Sequence, residues 1–380
     1  MEPENTCFSL HSPKPPPVSL LCHVVSPNND QPTTGIHTAP TRAARLQIDN
    51  DKLVMALAEP DHLICMYAIR TGTLIREFIG HKSGVWAMQY AGNTLVSGST
   101  DHSVRVWDMS TGKTTHVFGE HTRAVRCLQL LLPVPSAGQI SGYKASASFI
   151  PDAPTPRLAE PLIVAGGRDG SLRKSPIAAF TTADNPYVRH TLMGHTAQIR
   201  SLAGHRHIVC TASYDSTVCV WDVVEGRRVH QLSGHTSKVY SVVYDHGQAK
   251  CWSASMDATV RCWDVHSGQC LAVLEGHTAL VGVLELSPHW LVSASADSTL
   301  RVWSTHDNSL AYELKEHSSA VVYGIKMWDT RSGIKVREFD FGMWCAWQVK
   351  VSERYCAVVG STHAGVKLVV MDFQPEAVES

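Results

Sequence analysis

The chain has 380 residues, with 33 Lys and Arg against 34 Asp and Glu, for a formal net charge of -1. A balance this close to neutral exerts no bulk pull toward nucleic acid or acidic membranes, so any anion site must be a local cluster. Hydrophobic residues at 44% and charged residues at 18% suit a folded chain rather than a disordered one, and no run of apolar residues is long enough to cross a membrane as a helix.

Residues 1–42 open with Glu2 and Glu4 and continue through Pro13, Pro15, Pro16 and Pro17, where a secretory signal needs a basic start and an apolar stretch. They predict a Pro/Thr-rich, largely disordered segment. The eleven cysteines form no C-x-x-C pair, and Cys65, Cys127, Cys219 and Cys262 lie among β-branched residues. This pattern predicts reduced packing cysteines in an intracellular protein.

From residue 43 the chain repeats. LVSGSTDHSVRVWD (95–108) returns as VCTASYDSTVCVWD (209–222), CWSASMDATVRCWD (251–264) and LVSASADSTLRVWS (291–304). Each copy sets an Asp six residues before a Trp: Asp101 and Trp107, Asp215 and Trp221, Asp257 and Trp263, Asp297 and Trp303. Upstream stand His81, His195, His235 and His277, at gaps of 20, 20, 22 and 20 residues from the Asp, with His121 and His317 in less regular copies. The Trp-to-Trp steps of 42 and 40 residues match the four-strand blade of a WD-repeat β-propeller. Alternating runs such as SVRVW and TLRVW, broken by Gly, Asp, Ser and Thr, predict the strands. The recurring His, Asp and Trp predict a buried hydrogen-bonded network, in which Asp accepts from His and the indole anchors a strand.

Tyr67, Ser175, Trp328 and Met371 mark further, degenerate copies and bring the anchors to eight. At roughly 42 residues per blade, eight blades take about 336 residues. The expected fold is therefore all-β: an eight-bladed WD-repeat propeller over 43–373, followed by a short tail at 374–380. A Pro/Ser/Ala-rich stretch at 130–160 predicts a surface-loop insertion in the third blade. His317 stands only 11 residues from Trp328, where 26 separate His81 from Trp107. The seventh blade is thus abbreviated, either because it is defective or because the sequence has lost a segment.

Propellers present function on rim loops, so the informative positions are those that vary between blades. Five residues after each His stand Trp86, Arg126, Arg200, Tyr240 and Gly282. Just before each repeat Asp stand Thr100, Arg168, Tyr214, Met256 and Ala296. Both columns flank the same strand edge, which predicts one patch holding Trp86, Thr100, Arg126, Arg168, Arg200 and Tyr214. A single rim arginine is commonly solvated or paired with a carboxylate. Three in adjacent blades at equivalent positions predict an anion site whose planar forks match phosphate, with aromatics for an apolar or prolyl neighbour. His102, Lys238, Tyr240 and Met256 are secondary candidates. No Ser-His-Asp or paired-carboxylate set stands apart from the structural His and Asp residues. His205 and His207 form an H-x-H without thiols or carboxylates around it, which predicts a loop. No catalytic residue, metal or cofactor is expected.

At GVWAMQY (84–90), THVFGEHTRAVRCLQ (115–129), GRDGSLR (167–173), ADNPYV (183–188), GHTSKVYSVVYDH (234–246), GHTALVGVLELS (276–287) and GMWCAWQVKVSERYCAVV the sequence resembles the fungal F-box/WD-repeat substrate receptors of SCF ubiquitin ligases, of the cell-division-control type. The resemblance implies an eight-bladed propeller that binds phosphorylated Ser/Thr-Pro degrons. It places phosphate-binding arginines at Arg126, Arg168 and Arg200, and groove residues at Trp86, Thr100 and Tyr214. A further family arginine is replaced by His102, and a small hydroxyl residue by Ala124. Residues 1–42 are too few and too rich in Pro, Thr and Asn for an F-box, so the ligase adaptor is a partner only if an F-box lies outside this chain. The resemblance implies nuclear and cytoplasmic residence, and the near-neutral charge predicts neither nucleic-acid nor membrane partners. The alternatives are a WD-repeat scaffold in another complex and an F-box-less decoy that captures degrons.

Overall fold

The computed structural model describes residues 43–49, 51–57, 62–69, 71–119, 121–133, 158, 161–176, 190–315, 325–329, 332–339, 341–343, 345–352, 355–362 and 365–372. The N-terminal segment, most of the 130–160 insertion, Asp61, ADNPYV, His317 and the tail beyond 373 lie outside the described residues. The chain divides into two compact units, Met1–Val117 with His317–Ser380, and Phe118–Glu316.

Every described element is a strand. Six antiparallel four-stranded meanders follow one another at 43–78, 85–118, 125–192, 199–232, 239–274 and 281–314. Strands Cys345–Val351, Tyr355–Thr362 and Gly365–Asp372 make a three-stranded sheet, while Ile325–Trp328 and Lys335–Phe339 pair alone. The described residues thus hold seven blades and a two-stranded ribbon, not the eight blades expected. The physical reason lies in the short interval before Trp328. The ten residues at 315–324 stand where 25 residues, 275–299, carry two strands between Cys270–Leu274 and Leu300–Ser304.

Burial explains why these sequences make blades. The second strands Lys52–Leu57, Ile208–Ser213 and Lys250–Ser255 are each buried over five consecutive residues, because neighbouring blades cover both faces. Outer strands such as Thr114–Phe118 alternate instead, with only Phe118 buried. The cores lie between successive blades. In the first unit Val54, Ile64 and Met66 of one blade pack with Val85, Leu95 and Trp107 of the next. In the second unit Cys210, Val218 and Val220 pack with Val239, Val242 and Trp263.

The register keeps the anchors in one column. Tyr67 pairs Leu53, Trp107 pairs Leu95, Ser175 pairs Ile163, Trp221 pairs Val209, Trp263 pairs Cys251 and Trp303 pairs Leu291. The repeat Asp shapes the turn between second and third strands. Asp101 Oδ1 accepts the Ser103 N–H at 3.0 Å, closing an Asx-type turn. The residue between, His102, takes a left-handed φ of 70°. Gly170, Ser216, Ala258 and Ser298 fill the same slot at φ 76°, 68°, 66° and 69°.

Candidate functional site

The buried network comes first, because it fixes the blade ends from which the candidate residues project. His81 Nδ1 lies 2.9 Å from Asp101 Oδ2 and His81 Nε2 lies 2.7 Å from Ser97 Oγ. The Trp107 indole N–H donates to the same Ser97 Oγ at 2.8 Å. The set recurs as His195, Asp215, Thr211 and Trp221; as His235, Asp257, Ser253 and Trp263; and as His277, Asp297, Ser293 and Trp303. The hydroxyl residue is a fourth member that the sequence reading missed, although it recurs visibly in LVSGS, VCTAS, CWSAS and LVSAS.

Ser97, His81 and Asp101 have the connectivity of a hydrolase triad, but the hydroxyl cannot act as a nucleophile. Ser97, Thr211, Ser253 and Ser293 are wholly buried, and each oxygen is occupied by an indole N–H. The arrangement holds strands together and exposes nothing to a substrate. Among the described residues, no group of three or more His, Cys, Asp or Glu is placed to hold a metal.

Burial alone raises these carboxyls. Hydrogen bonds from His81 and Ser103 overcome it at Asp101, and those from Thr259 and His235, with the charge of His235, bring Asp257 to about 2. Burial lowers His81, His235 and His277 against the pull of their Asp partners. His195 is instead raised to about 9. Burial opposes that shift, and Asp215 and Cys219 outweigh it.

The third blade departs from the set. His121 keeps Asp169 at 3.1 Å, but Ala165 and Ser175 replace the hydroxyl residue and the Trp. His121 Nε2 is consequently buried without a partner among the described residues.

A β-bulge positions each residue of the first variable column. In the first strands of five blades the ladder skips Trp86, Arg126, Arg200, Tyr240 and Gly282, while the residues on either side stay in register. A bulge leaves one residue unpaired and re-aims its side chain. The second column is tied to the same ends. The N–H groups of Thr100, Arg168, Tyr214, Met256 and Ala296 donate to the carbonyls of Gly84, Ala124, Gln198, Lys238 and Leu280 at 2.9–3.1 Å.

In the second unit this geometry gathers Arg126, Arg168, Arg200 and Tyr214. Arg126 is half-buried; its pKa is lowered first by burial and then by the charges of Arg168 and Arg200, with Tyr214 opposing. Three guanidiniums therefore share one neighbourhood. Among the described residues no carboxylate forms an ion pair with Arg168 or Arg200. Arg168 Nε instead donates to Gln198 Oε1 at 3.0 Å. The Tyr214 and Tyr240 rings lie 5.0 Å apart at 42°. Burial, followed by the Tyr214 hydroxyl, raises the phenol of Tyr240. Lys238 Nζ stands 5.2 Å from the Tyr214 ring centroid, a cation–π contact. Met256, beside them in sequence register, is 50% exposed. The arrangement can hold an oxyanion in planar forks with an aromatic wall beside it.

Trp86, Thr100 and His102 belong to the first unit. The Trp86 carbonyl accepts from Arg45 Nε at 2.8 Å, the Thr100 hydroxyl is buried without a partner among the described residues, and His102 is exposed. A further bulge, in the last blade, singles out Trp347. The sequence reading missed it because Gly342, not His, stands five residues before it. Gln198 was missed as well; its role is one side-chain hydrogen bond, which leaves no periodic signal.

The described sheets are all-β blades of WD-repeat type. The WD domain, G-beta repeat model matches residues 72–108, 187–222, 226–264 and 268–304. The chain is similar to cell division control protein 4 of Saccharomyces cerevisiae, 38% identical over 195 residues that cover 51% of this chain and 24% of that protein. It is also similar to cell division control protein 4 of Candida albicans, 35% identical over 260 residues that cover 65% and 36%. The chain thus spans about a quarter to a third of the length of these curated relatives. Among solved structures it resembles the computationally designed Ika8 protein, with a TM-score of 0.61 and 23% identity over 87% of this chain and 83% of that one; that likeness shows the fold alone.

Proposed function

We propose that this chain is the degron-binding part of a non-enzymatic substrate receptor. It binds phosphorylated Ser/Thr-Pro segments and, with an F-box supplied outside the WD repeats, presents their proteins to an SCF-type ubiquitin ligase in the nucleus and cytoplasm. The observation that carries this reading is the cluster of Arg126, Arg168 and Arg200. Three guanidiniums held together by bulged strands repel one another, and a dianionic phosphate relieves that repulsion while filling their forks. Tyr214 and Tyr240 offer the apolar surface that a prolyl residue next to the phosphate needs. The similarity to cell division control protein 4 supports the same assignment.

Two measurements on the protein from the full transcript test this reading. Phosphorylated Ser/Thr-Pro peptides are expected to be retained and their dephosphorylated forms lost, and the ligase adaptor is expected to co-purify. Phosphopeptide binding without the adaptor marks a degron-binding decoy. Adaptor-free assembly with no phosphate dependence marks a scaffold.

A further inference from the structure

The H-x-H at His205 and His207 plays no part in the arginine cluster. With Arg206 it forms the turn between strands Ile199–His205 and Ile208–Ser213, and Arg206 takes a left-handed φ of 55° there. His246 occupies the matching turn of the next blade, after strand Val239–Asp245. The His205 and His246 rings stack at 4.5 Å with 26° between their planes. Arg200 and Tyr240 stand near the opposite ends of these same two strands. At ~3.3 Å per residue, Arg200 and His205 are roughly 16 Å apart.

The surroundings of this cluster are basic. Burial lowers His205 first, and Arg206 adds to it; His246 falls to about 4 through burial and the charges of His205, Arg206 and His207. Tyr244, whose hydroxyl lies 3.4 Å from His246 Nδ1, is raised well above the ordinary phenol range by burial and by Cys210 and Cys251, so it stays neutral. The adjoining carboxylate, Asp245, is tied to the backbone N–H groups of Gly247 and Gln248 at 2.8 and 3.3 Å. Arg206 Nε and His207 Nδ1 are buried with no hydrogen-bond partner among the described residues. The site therefore holds one fixed cation, three imidazoles and unspent donor capacity, while Asp245 is occupied with its own turn and Asp222, the ladder partner of Ile208, accepts from the N–H groups of Val224 and Glu225 at 2.9 and 3.0 Å.

We propose that His205, Arg206, His207 and His246 form a second, proton-coupled site for an oxyanion of phosphate type, at the strand ends opposite the arginine cluster. Two stacked imidazoles cannot both take a proton while nothing balances the charge. An anion on the Arg206 guanidinium removes that obstacle, so binding draws protons onto His205 and His246 and strengthens as pH falls.

Sulfate is the first probe, because it keeps its charge over the range in which phosphate groups titrate. The readout is the ring resonances of isotope-labelled histidines, assigned with His205→Asn and His246→Asn and followed from about pH 7.5 to about 3.5 in sulfate or in chloride of equal ionic strength. Reading these rings separates the site from the arginine cluster, which also binds oxyanions. The titration midpoints of His205 and His246 are expected to rise by about one unit in sulfate, a roughly tenfold preference of the anion for each protonated ring. Arg206→Asn, compatible with the left-handed backbone, is expected to abolish the rise and leave phosphopeptide binding at the arginine cluster intact. Inorganic phosphate and a phosphoserine peptide then run as separate arms. Stronger perturbation by the peptide identifies a protein-borne phosphoryl group, and equal perturbation a free anion. Midpoints that coincide in sulfate and chloride, or a rise that survives Arg206→Asn, overturn the proposal.

Discussion

Gln198 holds Arg168 in place: its amide Oε1 accepts the guanidinium Nε–H at 3.0 Å, while its backbone carbonyl accepts the Tyr214 N–H at 3.1 Å. One residue of the fourth blade therefore positions an arginine of the third and an aromatic of its own. Binding Nε to an amide leaves the two terminal nitrogens of Arg168 for a ligand. Gln198→Ala frees the side chain without removing charge. It is expected to weaken phosphopeptide binding about fivefold, near 1 kcal/mol for one hydrogen bond, with thermal unfolding nearly unchanged. Equal affinity by calorimetry means that Arg168 aligns without Gln198.

The parts of this molecule legible in the sequence are those that repeat. His81, Asp101 and Trp107 stand at fixed spacings because one network must be rebuilt in each blade, so its copies reveal one another. The bulged column was legible for the same reason wherever a His marks the blade. Trp347 escaped because its blade has no such marker, and Gln198 because a lone cross-strand hydrogen bond has no period. The blade count failed at Trp328. One anchor residue does not stand for four strands where the interval before it has room for far less. The three arginines form a column that repeats, whereas their surroundings, with Gln198 bonded to Arg168 and Lys238 over Tyr214, rest on single contacts between blades that leave no period.

Acid stability follows from the Asp partners of the network. Asp257 is held at about 2 in the folded chain, below its unfolded value of about 3.9. A depressed carboxyl stabilises the fold fully above the unfolded value, and that contribution is lost as pH falls through the folded one. The loss is therefore expected between about pH 4 and pH 2. At 1.36 kcal/mol per unit, Asp257 alone contributes on the order of 2 kcal/mol. Denaturant unfolding of Asp257→Asn is expected to show that loss at neutral pH and a shallower decline below pH 4, and a decline as steep as that of wild type counts against the assignment.

The ribbon at Ile325–Trp328 is expected to limit stability. Trp303 donates its indole N–H to Ser293 at 2.9 Å, but the Trp328 Nε1 is buried with no acceptor among the described residues. Lengthening the interval before Ile325 with a hairpin patterned on 281–295 supplies both the hydroxyl and apolar cover. At 1.5–3 kcal/mol per buried aliphatic side chain, the gain is expected to reach about 3 kcal/mol or more. A cooperative melt at the same temperature with and without the insertion contradicts this.

His102 tests how far this chain departs from its relatives. Its exposed, left-handed slot is filled elsewhere by Ser216, Ala258, Ser298 and Gly170, so His102→Arg is expected to leave folding unchanged. A planar fork with five donors in place of the imidazole is expected to tighten phosphopeptide binding by on the order of 1 kcal/mol at about pH 7.5. Equal phosphopeptide affinities for the two proteins place His102 outside the ligand's reach.

The central claim is that Arg126, Arg168 and Arg200 bind phosphate. Calorimetry with a Ser/Thr-Pro peptide, phosphorylated and not, against wild type and the single variants Arg126→Ala, Arg168→Ala and Arg200→Ala, addresses it most directly. Binding is expected only for the phosphorylated peptide. Each variant is expected to weaken it about 30-fold or more, since truncating one partner of a desolvated charge pair costs about 2–5 kcal/mol. Equal affinity for the two peptides, or three variants that bind as wild type does, contradicts the account.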